Sequence, residues 1–131
     1  MTTSPGTLEK EVLAAYEQYL EAFMADDMET INSLISFPLA HIGEGTVMLL
    51  DTFPLRPADL MAQTGWHDTR DMQYDVVGIT PTKAHVVLRA GTRVRKDGSP
   101  IEDILAFYAW TRTAEGWKMF AISGISLPAA A

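Results

Sequence analysis

Three long strand-like runs between Ala84 and Leu127 constrain this chain more than any other stretch. They read AHVVLRAGTRVR, IEDILAFYAWTRT and WKMFAISGISL. KDGS joins the first two, with Asp97-Gly98 as a strong hairpin signal, and AEG joins the last two, where Gly116 can take positive φ. Each run exceeds the usual strand length of about five or six residues, which predicts a long, curled antiparallel sheet. The middle run is apolar on both parities: Ile104, Ala106, Tyr108 and Trp110 on one, Leu105, Phe107 and Ala109 on the other. A sheet with one wet face would carry polar groups on one of those sets. Both faces therefore need a cover, and the rest of the chain must supply at least one.

The chain is long enough for one domain spanning 1–131, burying about two thirds of its unfolded surface. A formal charge of −7 disfavours nucleic acid and anionic membranes as partners. With no cysteine, disulfides, thiolate catalysis and cysteine-ligated metals are excluded. MTTSPGTLEKE lacks the basic-then-apolar pattern of a secretory signal, and no apolar run approaches the roughly 20 residues of a membrane span. The expectation is a cytoplasmic protein.

Ahead of the meander, apolar residues at three- and four-residue steps predict a helix over Leu8–Met24, capped by Ser4 or Thr7. ADDMET breaks it. Asp26 and Glu29 have the spacing of a capping pair opening a second helix through Ile35, closed by Phe37-Pro38. Leu39–Ile42 and Thr46–Leu50 read as a hairpin about Gly43-Glu44-Gly45, and Ala58–Thr64 as a short helix ended by Gly65. TGWHDTRD reads as a polar connector, followed by a strand over Met72–Thr80. The order α-α-β-β-α-β-β-β-β, with helices segregated before a sheet, defines an α+β class.

This order, together with QYLEAFMADDMETINSLI, resembles the nuclear-transport-factor-2-like superfamily, which includes ketosteroid isomerases and SnoaL-like polyketide cyclases. The resemblance spans nearly the whole chain and implies a cystatin-like cone, a curved sheet wrapped around N-terminal helices with an apolar pocket at its wide end. It also implies a homodimer through the outer sheet face, where Leu105, Phe107, Phe120 and Ile122 would sit.

By the same resemblance, Tyr19 matches the helix position from which the isomerases donate a hydrogen bond to an enolate oxygen. Tyr108 falls near their second oxyanion donor. As residues alone, both read equally as core aromatics. Where the isomerases carry a carboxylate base, this chain has LAHIGEG, which argues against steroid isomerisation. His41 on that strand is the candidate base, since imidazole titrates near neutrality; a buried structural histidine would look the same. Tyr16, Phe23, Trp66, His67, Ala106 and Trp110 are the candidate ligand contacts. His67-Asp68 can pair in a loop but not on a strand, where adjacent side chains point apart. Arg93 shares a parity with His85 and faces outward unless a bulge at Gly91 reverses the register.

The three histidines are too far apart in sequence to preorganise a metal, and there is no phosphate loop. Two functions remain open: a cofactor-independent acid–base enzyme acting on an apolar carbonyl compound (isomerase, cyclase or dehydratase), or a non-catalytic binder of a small hydrophobic ligand. A dimeric interaction module is a third possibility.

Overall fold

In the computed structural model, which describes residues 4–128, Ser4 caps the first helix by accepting from the Thr7 N–H at 3.3 Å. Helix α1 (Pro5–Met24) begins with proline, whose fixed φ and missing N–H suit the first turn. Leu8, Val12, Tyr16, Tyr19 and Phe23 form its buried stripe. The second helix, α2 (Met28–Ser33), is capped by Asp27, whose carboxylate accepts from the Thr30 N–H and hydroxyl.

Asp26, expected to cap α2, instead adopts φ 53° and serves the third helix, α3 (Pro57–Thr64). Its Oδ1 accepts from the Ala58 N–H at 3.0 Å, and its Oδ2 lies 3.6 Å from Arg56. Arg56, at the N-cap of α3, offers no side-chain acceptor, so a carboxylate 32 residues upstream of Ala58 supplies one. Gly65, at φ 79°, ends α3 in the left-handed region.

Strand β1 (Ile35–Ile42) starts earlier than expected and contains the Phe37-Pro38 bond, which is cis. Proline cannot donate to a ladder, and pairing with β6 is irregular between Ile35 and Ala40. The residues expected to close a helix thus interrupt a strand. Strand β2 (Val47–Leu50) returns along β1 at the sheet edge.

The predicted connector is a second correction. TGWHDTRD runs straight into β3 (Trp66–Ile79). Its alternation is hidden by extra residues, one between Trp66 and Asp68 and another near Asp71, which takes φ 56°. Strands β4 (Lys83–Arg95), β5 (Pro100–Thr113) and β6 (Gly116–Pro128) follow closely as read. The turn glycines Gly98 and Gly116 sit at φ 87° and 111°.

The sheet order is β2-β1-β6-β5-β4-β3. Every neighbouring pair is antiparallel except β1–β6, so the sheet is mixed rather than wholly antiparallel. The α+β class and the order of elements stand. Helix α1 packs on the inner face, where Tyr16 meets Tyr108 and Tyr74 with ring centroids 4.9 and 5.1 Å apart. Trp110 and Met119 are completely buried in the same core. Among the described residues, no helix is long and apolar enough to cross a membrane.

Candidate functional site

The C-terminal half of α1, the loop through Phe53 and the inner faces of β1 and β3–β6 enclose a cavity of about 200 Å³. It reaches solvent past Met24, Pro54 and Ile125. At somewhat less than a water's ~30 Å³ per atom, it holds roughly ten non-hydrogen atoms.

Tyr19 and Phe23 reach the cavity because they lie on the buried stripe of α1, one turn apart. Tyr108 and Ala106 share a parity on β5 and line the same space. The Tyr19 and Tyr108 rings meet edge to face with centroids 5.9 Å apart. Neither hydroxyl hydrogen-bonds to a described side chain or backbone group, so both are available to an occupant. Burial raises the pKa of each, and the positive charge of Arg93 offsets part of that rise. Both phenols therefore stay neutral donors across the physiological range.

Tyr16 and Trp110 lie behind the cavity wall instead of lining it. Burial also pushes the Tyr16 phenol far up. The Tyr16 and Tyr108 hydroxyls are near enough to influence each other's ionisation, yet no hydrogen bond of good geometry joins them, and Tyr16 Oη is buried without a partner. Tyr16 packs its ring and leaves the Tyr108 hydroxyl free.

His41 is half-buried on β1 and lines the cavity. It shares a face with the fully buried Leu39, and its ladder partners are Met48 and Ile122. Trp66 also lines the cavity, its indole N–H donating to Thr69 Oγ1 at 3.0 Å. His67 does not: it is exposed, while its neighbour Asp68 turns toward the cavity mouth. Strand geometry sends the two side chains apart and rules out a His–Asp pair. Leu105 and Ile122, both expected on the outer face, line the cavity.

Arg93 is the residue whose place depended on the register. Leu88 pairs with Ala106 and Thr92 with Asp103, so β4 carries one extra residue between them. That bulge reverses the parity beyond it and turns Arg93 inward. Its Nη1 donates to Glu102 Oε1 at 2.7 Å, and its guanidinium lies 5.7 Å from the Trp66 ring centroid. The signal in the sequence was Gly91. A Cβ there would meet Ile104 Cγ1 at 3.3 Å, tighter than ordinary packing.

Among the described residues, no group of three or more His, Asp or Glu side chains is placed to hold a metal ion. The lining thus offers an apolar body, two neutral phenols, one imidazole and one guanidinium, with the Asp68 carboxylate at the mouth. Such a site can receive an acceptor oxygen on the phenols and exchange a proton with imidazole.

A small α+β cone with such a cavity defines a class of protein, and comparison with known proteins gives its family. Residues 10–125 match the family described as NTF2-like protein (DUF6841), and the chain belongs to it. No curated protein matches the chain in sequence. A cystatin-like fold protein from Burkholderia xenovorans is 19% identical, with a TM-score of 0.63 over 97% of this chain and 96% of that one. A protein from Streptomyces avermitilis, provisionally named as a dehydratase of the NTF2-like family, is 21% identical, with a TM-score of 0.65 over 98% and 100%. One from Shewanella frigidimarina, provisionally named as a ketosteroid isomerase, is 14% identical, with a TM-score of 0.67 over 86% and 92%. At these identities the likeness is one of fold.

Proposed function

We propose that the protein binds a small, mainly apolar carbonyl compound in this cavity and moves a proton on it without a cofactor. The observation that carries the reading is the convergence of Tyr19, Tyr108 and His41 on one cavity, with both phenol hydroxyls free of protein partners. The carbonyl oxygen accepts from Tyr19 and Tyr108. As the α-proton leaves for the His41 imidazole, negative charge develops on that oxygen, and the two donors hold it without reorganising. One preorganised donor of this kind is worth roughly 3 kcal/mol in the transition state, and a positioned base typically adds about 10² to 10⁴ in rate. The provisional dehydratase and isomerase names of two structural relatives agree with proton chemistry on such a framework.

The same lining supports a second reading, non-catalytic binding. What favours it is that, among the described residues, no interior carboxylate is poised as a base: Asp68 lies at the mouth, and Glu102 is held by Arg93.

Phenylacetone in deuterium oxide separates the two readings. It has about ten non-hydrogen atoms and acidic α-protons, and exchange is followed by proton NMR while binding is followed by tryptophan fluorescence. Saturable binding with accelerated exchange, lost in His41→Ala, supports catalysis. Saturable binding without exchange supports the binder, and a wild-type protein that binds neither phenylacetone nor its anionic analogue phenylacetate overturns both readings.

A further inference from the structure

We propose that Arg93 reads an anion and that the compound filling this cavity carries a carboxylate on its apolar body. The inference rests on the cavity reading above and narrows its ligand class.

An arginine on the outer face of β4 would need only water, yet one extra residue carries Arg93 into the cavity wall, where its side chain is only 15% exposed. Taking a guanidinium out of water is costly and is recovered only when its donors are well matched. Here they are not. Glu102 engages Nη1 alone, Nε is buried without a partner, and Nη2 bonds to no described residue. The unmatched Nε and Nη2 form one edge of the guanidinium plane, with parallel N–H groups spaced for the two oxygens of a carboxylate.

The surroundings fit the same purpose. The Arg93 guanidinium carbon lies over the Trp66 ring, 5.7 Å from its centroid, within cation–π range. Tyr19 and Tyr108 add donors and no competing negative charge. Glu102 serves as the resident counter-ion, neutralising the charge on one side, while the Nε/Nη2 edge keeps no partner among the described residues. A bound carboxylate would share Arg93 with Glu102, and the two anions would repel each other. Removing the charge of Glu102 therefore strengthens anion binding.

The test compares phenylacetate with phenylacetone, which match in size and shape and differ in charge, by calorimetric titration at neutral pH. Wild-type protein should bind phenylacetate at least about tenfold more tightly, the scale of a charge-assisted bidentate contact. Arg93→Met should abolish that preference while phenylacetone still binds, and Glu102→Gln should enlarge it. Phenylacetone binding as well as or better than phenylacetate in wild-type protein overturns the inference and leaves the cavity reading intact. A preference that survives in Arg93→Met also overturns it, since the anion would then be read elsewhere. If neither probe saturates, the cavity reading fails and the inference with it. Should Arg93→Met not fold, the wild-type and Glu102→Gln titrations decide alone: a preference that Glu102→Gln leaves unchanged or reduces counts against the inference.

Discussion

Tyr16, Tyr19 and Tyr108 bury three phenols within one core, and burial is the main cause raising each pKa. In the unfolded chain they ionise near pH 10. A folded-state pKa above the unfolded value means the stabilisation is complete below about pH 10 and is lost as pH rises through the folded values. Denaturant midpoints should therefore hold until about pH 10 and then fall, with phenolate absorbance appearing together with unfolding. Phenolate forming fully near pH 10 in a still-folded protein would show the three rings to be accessible to water. At the acid end the sign reverses. Hydrogen bonds from Thr30 and Ser99 hold Asp27 and Asp97 below the usual carboxylate range, so their support is lost as pH falls through those lowered values. His41→Ala is expected to remove proton exchange yet leave stability within about 1 kcal/mol, because the imidazole is only half-buried and faces a cavity. Loss of exchange together with a collapsed melting temperature would make His41 structural. Residue roles were partly legible in the sequence. The stripe of α1 and the parity of β5 announce Tyr19 and Tyr108, whereas Arg93 depended on a bulge that only Gly91 hinted at.

Elements were legible where turn chemistry marks their ends. Asp97-Gly98 and Gly116 delimit β4–β6 almost to the residue, and Gly65 marks the end of α3. They were illegible where extra residues broke the alternation, as in β3, or where a proline sat inside a strand instead of after a helix, as in β1. Asp26 shows a third limit: its sequence spacing fits a local cap, but the carboxylate acts on a helix far along the chain. This cap has a measurable consequence. Asp26→Ala removes the acceptor at the start of α3 and places a Cβ-bearing residue without a helpful side chain at φ 53°. The two effects together should cost about 1–2 kcal/mol. Asp26→Asn, which keeps an acceptor and tolerates that φ, should recover most of the loss in urea denaturation; equal losses in the two variants would refute the capping role.

At the scale of the molecule, the curl of the sheet produces two surfaces with different demands. Its inner face closes on α1 and leaves the cavity. Its outer face presents half-buried Phe107 and Phe120, and Val77 is exposed on the edge strand β3, beyond β4. We propose that a second copy of the chain covers this outer face, since a permanent homodimer would bury on the order of 2,000 Å² and would be rich in apolar area. Sedimentation at micromolar concentration should show a dimer, and Phe107→Glu should shift it to monomer; a wild-type monomer would contradict the assignment. For the inner surface, the decisive measurement is a crystal structure with phenylacetone bound. The account predicts the ligand inside the cavity, its carbonyl oxygen within about 3 Å of the Tyr19 or Tyr108 hydroxyl and its α-carbon toward His41. A ligand found only outside the cavity, or lying inside it with the carbonyl turned away from both phenols, would contradict the account.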